Sequence, residues 1–205
     1  MRIVCLDLEG VLIPEVWINF AERTGIEELR LTTRDIPDYD ELMTRRLAIL
    51  DEHGLGLPQI QEVIDGMEPL PGAADFLAAL RASYQLVILS DTFYEFAEPF
   101  MRKLGWPTLF CHSLQVAADG HIEAYRLRQQ DQKRKAVAAL KDLAFQVVAS
   151  GDSYNDTTML AEAHAGILFR APNNVIAEFP QYPHTTEYPA LRAAIDAAFE
   201  SLAEG

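Results

Sequence analysis

The chain has 205 residues, of which 49% are hydrophobic, and this is enough for one substantial folded core. Its formal net charge of -14 argues against nucleic acid or an anionic membrane as the main partner, because both bind clusters of lysine and arginine. The sequence has no apolar segment long enough for a signal peptide or a membrane span, and Cys5 lies inside an apolar run as a core residue would. We therefore expect a cytoplasmic protein.

Four short apolar segments predict the strands of a buried parallel sheet, because they are too short for helices and do not alternate with polar residues. In chain order they are RIVCL at 2–6, YQLVIL at 84–89, FQVVAS at 145–150 and AGILF at 165–169. Helical patterns lie between and after them, at 73–83, 93–104, 132–143 and 190–203. Pro99 is expected to kink or interrupt the second of these helices, and Gly105 to cap it. The alternation predicts an α/β fold with a doubly wound, Rossmann-like parallel sheet.

The segment 14–70 departs from this alternation. It contains helical patterns at 14–25, 39–54 and 57–67, and no run resembling a strand. An insertion placed directly after the first strand would lie over the carboxyl ends of the strands. We therefore predict a small helical cap at 14–70 and a catalytic core formed by 1–13 and 71–205.

Acidic and hydroxyl side chains follow three of the predicted strands, at the edge where open parallel sheets bind ligands. They are Asp7 and Glu9 after the first strand, Ser90 and Asp91 after the second, and Asp152, Asn155 and Asp156 in GDSYND at 151–156. The carboxylates among them cannot all stay charged at close range without a counterion. The oxygen ligands, and the lack of a histidine and cysteine cluster with zinc spacing, favour Mg2+.

Two basic residues are candidates for facing this charge. Lys133 shares a helical face with apolar residues and is expected to point inward, the alternative being a lysine that merely extends to the surface. Arg46 lies on the apolar face of a cap helix and needs an anionic partner, either a substrate group or a neighbouring acid. Glu15, in a first helical turn, is by itself ordinary helix electrostatics.

Four segments in order, DLEGV at 7–11, LSDT at 89–92, Lys133 and GDSYND at 151–156, resemble the four motifs of the haloacid dehalogenase superfamily. The helical insertion after the first motif agrees with this resemblance, which covers nearly the whole chain. The arrangement is most similar to the phosphoserine phosphatase branch. There, an acid eight or nine residues after the nucleophile and an arginine of the cap hold the amino-acid end of the substrate, and Glu15 and Arg46 match those positions.

The sequence departs from that branch at two motifs. The first reads Asp-x-Glu instead of Asp-x-Asp, and the second reads Ser-Asp-Thr instead of Ser-Gly-Gly. Both features resemble the phosphoserine:homoserine phosphotransferases, which pass the phosphoryl group to homoserine as well as to water. We hypothesise that the longer side chain of Glu9 makes room for an alcohol larger than water.

The resemblance implies a Mg2+-dependent phosphoserine phosphatase that can also transfer the phosphoryl group to homoserine through an aspartyl phosphate on Asp7. Catalysis would involve Asp7 as nucleophile, Glu9 as general acid and base, and Lys133 as a screen for negative charge. The metal would be held by Asp7, Asp152 and the backbone carbonyl of Glu9, with Asp156 orienting the metal ligands or Lys133. The residues expected to bind substrate are Glu15, Arg46, Ser90, Asp91, Lys133 and Asn155.

Two alternatives stay open at this stage. The first is a phosphatase of the same superfamily that acts on another small phosphorylated metabolite, such as a sugar phosphate. The second is a receiver-like phosphoacceptor module, which is disfavoured because its acceptor aspartate lies on a third strand and it carries no cap. The oligomeric state is also open, with a homodimer as one possibility.

Overall fold

A seven-stranded sheet of order β4-β3-β2-β1-β5-β6-β7 forms the centre of the structure. The structure is a computed structural model, and it describes residues 1–32, 35–36 and 38–204. Its strands are β1 (Arg2–Leu6), β2 (Gln85–Phe93), β3 (Thr108–Val116), β4 (Ile122–Arg126), β5 (Gln146–Gly151), β6 (Ala165–Phe169) and β7 (His184–Thr185). β4 runs antiparallel to β3, and the other neighbouring strands are parallel. The predicted α/β fold with a mostly parallel sheet is confirmed.

Helices cover both faces of this sheet. They are α1 (Val16–Thr24), α2 (Tyr39–Glu52), α3 (Leu57–Asp65), α4 (Ala73–Arg81), α5 (Tyr94–Lys103), α6 (Gln132–Asp142), α7 (Thr157–Glu162), α8 (Asn173–Glu178) and α9 (Tyr188–Glu204). Successive side chains of the central strand point to opposite faces, so Val4 and Leu6 join one apolar cluster while Ile3 and Cys5 join the other. Within the described ranges, every helix is too short or too polar to cross a membrane.

The strands β3 and β4 form a hairpin that the apolar pattern did not predict. Its turn contains Asp119-Gly120, and Gly120 has a φ of 91°, a left-handed conformation that glycine adopts without strain. The run TLFCHSLQV of β3 mixes polar and apolar side chains, and β4 is short and partly exposed. The prediction therefore failed where one face of a strand is not fully buried.

Helix α5 is not interrupted by Pro99, contrary to one of the predicted outcomes. A proline at this position leaves the carbonyl four residues earlier, that of Glu95, without its helical donor. The side chain of Gln61 from helix α3 supplies a donor instead, at 3.1 Å from the Glu95 oxygen. Gly105, with φ of 74°, follows the helix end as predicted.

Helices α1, α2 and α3 occupy the predicted cap segment, together with a short 3-10 turn at Glu27–Arg30. Helix α3 begins against the turn of the β3–β4 hairpin, where the Leu57 N–H donates to the Gly120 carbonyl at 2.9 Å. The backbones approach so closely that a Cβ on Gly56 would lie 2.5 Å from that same oxygen. Apolar residues of the cap and of the sheet belong to one continuous cluster. The division at residues 13–14 and 70–71 stays a prediction.

Candidate active site

The nucleophile candidate Asp7 lies directly after the central strand. Its N–H donates to the Ser150 carbonyl at 3.0 Å, which continues the β1–β5 pairing by one residue. Its Oδ1 accepts the Leu8 N–H at 2.8 Å, and the residue is only 4% exposed. Gly10 is required nearby, because its φ is 75° and a Cβ there would lie 2.5 Å from Asp152 Oδ2. The first loop and the loop after β5 therefore meet at the sheet edge.

Three buried carboxylates, those of Asp7, Asp152 and Asp156, come together at this edge, each with an oxygen within 4.8 Å of the others. Asp156 accepts the N–H groups of Asp152 and Ser153 at 3.0 and 3.1 Å, which fixes the loop that follows β5. Burial and the neighbouring charge of Asp156 raise the pKa of Asp7 well above its ordinary value. A set of hard oxygen donors with excess negative charge fits a divalent metal ion.

Lys133, at the start of α6, is the cation that faces these acids. Its Nζ lies 2.7 Å from Asp156 Oδ1, 2.9 Å from Asp7 Oδ1 and 3.4 Å from Asp91 Oδ2, and the residue is 2% exposed. Burial alone would lower the pKa of Lys133, but the three carboxylates outweigh it and the pKa is raised well above normal. The inward orientation expected from the helical face is confirmed.

Ser90 and Asp91 lie within β2, which continues past the predicted end of that strand to Phe93. The Ser90 hydroxyl is buried and accepts the Thr92 N–H at 3.3 Å. Asp91 Oδ2 accepts from Asn155 Nδ2 at 2.9 Å. Although burial opposes it, the charge of Lys133 and the hydrogen bonds of Asn155 and of His112 in β3 hold the pKa of Asp91 below its usual range.

Glu9 and Glu15 lie side by side next to the acidic cluster, and their side chains are hydrogen bonded to each other. Burial and the charge of Glu15 raise the pKa of Glu9 to about 8, and Glu9 is hydrogen bonded to both Glu15 and Thr92. Glu9 Oε2 also accepts the Val16 N–H at 3.3 Å. The raised pKa favours the protonated form of Glu9 at neutral pH, which is the form that a general acid needs.

Arg46 is buried on the inner side of helix α2, and its direct contacts are with an aromatic ring, a thioether and a backbone carbonyl. The group stacks over the Trp17 ring, with the guanidinium carbon 4.5 Å from the ring centroid. Its Nη2 donates to the Leu31 carbonyl at 2.8 Å, and its Nε has no hydrogen-bond partner among the described residues. Burial lowers the pKa of Arg46 to about 10. Arg46 forms no ion pair with any acid in the described part of the chain, so the alternative of a neighbouring acid as its direct partner is not observed.

All nine residues predicted for the site line one cavity of about 310 Å³ between the cap and the sheet edge. They are Asp7, Glu9, Glu15, Arg46, Ser90, Asp91, Lys133, Asp152 and Asn155. The acids and Lys133 lie at its sheet side, and Arg46 belongs to the cap. The cavity thus offers one end suited to a metal ion and phosphate, and another suited to a carboxylate.

Several lining residues had not been identified from the sequence, among them Trp17, Tyr39, Thr92 and Arg170. Tyr39 begins helix α2, and its hydroxyl donates to the Asp91 carbonyl at 2.9 Å, which joins the cap to β2. The sequence signal that could have identified Tyr39 is its position at the start of a predicted cap helix. Arg170 follows β6 with a φ of 54°, and its place after a predicted strand was a comparable signal.

The sheet order, the helical insertion after β1 and the acids around a buried lysine define a phosphoryl-transfer type of α/β site. Comparison with known families agrees, since the profile of the haloacid dehalogenase-like hydrolases matches residues 1–164. The chain belongs to this family.

Curated relatives narrow the comparison. The chain is 62% identical over 192 residues to "Phosphoserine phosphatase ThrH" of Pseudomonas aeruginosa, covering 94% of each chain. It is 60% identical over 192 residues to "Phosphoserine phosphatase" of Pseudomonas syringae pv. tomato, covering 94% of this chain and 81% of that one. Among solved structures, a phosphoserine phosphohydrolase-like protein from Francisella tularensis superposes with a TM-score of 0.74 at 17% identity, covering 95% and 100% of the two chains. This last similarity concerns the fold alone.

Proposed function

We propose that the protein is a Mg2+-dependent phosphoserine phosphatase that can also transfer the phosphoryl group to homoserine. The observation that carries this proposal is the single cavity lined by Asp7 and Lys133 of the core together with Arg46 and Glu15 of the cap segment. Such a cavity matches a substrate with a phosphate at one end and an amino acid at the other. The similarity to relatives named phosphoserine phosphatase at about 60% identity supports the same substrate.

The metal would be held by Asp7, Asp152 and the backbone carbonyl of Glu9. Asp156 would hold the loop that presents Asp152, through the two N–H groups it accepts, and would also orient Lys133. When bound, Mg2+ supplies positive charge that screens the repulsion between a carboxylate nucleophile and a phosphate dianion.

Asp7 would attack the phosphorus in line and form an aspartyl phosphate, while the serine oxygen leaves. Lys133, 2.9 Å from Asp7 Oδ1, would offset the charge on the nucleophile and on the phosphate oxygens. Ser90 and Asn155 would donate hydrogen bonds to the phosphate or to the substrate. Asp91, whose Oδ2 accepts from Asn155, would contribute to the substrate pocket by orienting that amide.

Glu9 would give its proton to the leaving serine oxygen and afterwards take one from water or from the homoserine hydroxyl. The raised pKa of Glu9 supports the first half of this role, because a group with a pKa of about 8 carries its proton at neutral pH. Once the phosphate has moved to Asp7, the deprotonated Glu9 is the base that the second half requires.

The amino-acid end of phosphoserine would lie between Arg46 and Glu15. Arg46 Nε has no hydrogen-bond partner among the described residues, and the guanidinium forms no ion pair with any of them, which favours an incoming carboxylate. Glu15 would accept from the substrate ammonium. Homoserine carries the same carboxylate and ammonium, so the same two residues would hold it as the acceptor.

The test is incubation of the purified protein with phosphoserine and Mg2+, with and without homoserine. Free phosphate and homoserine phosphate are followed separately, and we expect both products when homoserine is present. Glucose 6-phosphate is the comparison substrate. Faster turnover of the sugar phosphate than of phosphoserine would favour the alternative metabolite phosphatase, and the absence of homoserine phosphate would restrict the function to hydrolysis.

Two further expectations are part of the proposal. A cytoplasmic location is supported by the two buried free thiols, Cys5 and Cys111, which suit a reducing compartment. Assembly into a homodimer is tested by light scattering coupled to size-exclusion chromatography, where a mass near 23.0 kDa would instead indicate a monomer.

A further inference from the structure

The carboxylate of Asp91 connects the reaction centre to a buried group behind it. Oδ2 faces the centre, 2.9 Å from Asn155 Nδ2 and 3.4 Å from Lys133 Nζ. Oδ1 faces the other way, 3.4 Å from Gln132 Nε2 and 3.6 Å from His112 Nε2. The two oxygens of one rigid group are thus held from opposite sides.

His112 lies in β3 and is 3% exposed. Its Nδ1 accepts the Arg128 N–H at 3.1 Å, so this nitrogen carries no proton. In the neutral imidazole the proton is then on Nε2, where it faces Asp91 Oδ1. The Tyr39 ring packs at 6.1 Å against the imidazole, in an edge-on geometry that limits its rotation.

We propose that His112 is a positioning residue that acts through Asp91 on Lys133 and Asn155. The proposal rests on the proposed function for its kinetic consequences. Lys133 has three N–H donors and three carboxylates around it, and Asp91 is the most distant and most exposed of the three. Backbone N–H groups of neighbouring residues hold Asp7 and Asp156, whereas Asp91 faces side chains, those of His112, Gln132 and Asn155. The N–H of His112 fixes the orientation of Asp91 from behind.

The second motif reads Ser-Asp-Thr instead of Ser-Gly-Gly, and this difference explains why a group behind Asp91 is needed. A glycine at the position of Asp91 has no side chain to hold, whereas a carboxylate there adds a charge beside Asp7 and needs donors of its own. His112 and Gln132 supply N–H groups from outside the cavity's reacting end, so Lys133 and Asn155 keep their places.

The test compares His112→Asn with His112→Gln. The asparagine amide occupies the place of Nδ1 and keeps the contact with the Arg128 N–H, but it falls short of Asp91. The glutamine amide reaches the place of Nε2 and can donate to Asp91. We expect kcat for phosphoserine to fall about tenfold in His112→Asn, with KM changed less, and to recover in His112→Gln, since the 3.6 Å contact of an N–H group with a charged carboxylate is removed and restored. The surface variant His53→Asn is the control.

A double-mutant cycle with Asp91→Ala separates positioning from a general structural effect. If His112 acts through Asp91, His112→Asn has no further effect on kcat once the carboxylate is gone. The proposal would be overturned if the loss of kcat in the double variant equalled the product of the two single losses. It would also be overturned if His112→Asn and His112→Gln lost kcat equally and in proportion to their fall in melting temperature.

A readout independent of activity is the 15N spectrum of the histidine rings, with His112 assigned by its absence in His112→Gln. We expect Nε2 protonated and Nδ1 unprotonated. A protonated Nδ1 would overturn the proposal whatever the enzyme's substrate is. Failure of the wild-type protein to turn over phosphoserine would count against the proposed function alone, since the spectrum still tests the His112 tautomer that the positioning role requires.

Discussion

Arg46→Met should weaken phosphoserine turnover strongly while leaving the fold as stable as before or more stable. The two effects have opposite directions because Arg46 is a buried charge without a charged partner among the described residues. Methionine fills a similar volume without a charge, beside Trp17 and Met43, which the guanidinium now contacts.

The effect on stability follows from the pKa of Arg46, which burial lowers to about 10. An ordinary arginine has a pKa of about 12.5 or more, and one pKa unit corresponds to about 1.4 kcal/mol, so burial costs the charged form about 3 kcal/mol. This cost applies in full below pH 10 and disappears as the pH rises above it. Stacking on Trp17 returns about 0.5–2 kcal/mol. We therefore expect Arg46→Met to stabilise the protein by about 1–2.5 kcal/mol.

The effect on turnover follows from the carboxylate that Arg46 is proposed to bind. Removing one partner of a buried, hydrogen-bonded charge pair costs about 2–5 kcal/mol. At about 3 kcal/mol, kcat/KM for phosphoserine falls about a hundredfold.

The assay measures phosphate release from phosphoserine and from phosphoethanolamine, which lacks the carboxylate. We expect Arg46→Met to lower kcat/KM for the first substrate and to change it little for the second. Arg45→Met, at an exposed neighbouring position, is the matched control, and urea unfolding measures stability. An equal loss with both substrates, or destabilisation by several kcal/mol, would refute the reasoning.

Three further outcomes are expected. Asp7→Asn should abolish turnover in a phosphate-release assay, and appreciable activity in pure protein would exclude Asp7 as nucleophile. Burial raises the pKa of the Cys5 and Cys111 thiols, so neither should react with Ellman's reagent at pH 8 until guanidinium unfolds the chain; rapid reaction of the native protein would show an open core. Tyr188→Phe leaves the Val11 carbonyl without the hydroxyl that donates to it at 2.7 Å, so unfolding by urea should require about 1 kcal/mol less, and an unchanged midpoint would contradict this.

The parallel centre of the fold was predictable because its strands are covered on both faces. The segments 2–6 and 165–169 match β1 and β6 residue for residue, and 145–150 is shifted by one residue from β5. The hairpin of β3 and β4 was missed, although the Asp119-Gly120 pair between two β-rich runs is a recognised hairpin signal. An apolar-run criterion does not detect strands that carry polar side chains on one face.

Those residues of the candidate site were predictable whose buried charge is unfavourable without a partner. Acids at three strand ends, and a lysine and an arginine on apolar helix faces, each need a partner, and all of them except the fully buried Asp156 line one cavity. His112 and Gln132 could not be found in this way. Both residues matter only because they contact Asp91. His112 belongs to β3, a strand that was not predicted, and Gln132 precedes Lys133 in helix α6.

The central position of β1 has a consequence for the order in which the protein assembles. β1 is synthesised before both of its neighbours in the sheet, which are residues 85–88 and 146–150. Closing these long loops is slow relative to local helix formation. The pairing that brings Asp7 beside Asp152 therefore needs most of the chain to have left the ribosome. The repulsion between these acids is delayed to a late stage of folding, when Lys133 is already part of the chain that surrounds them.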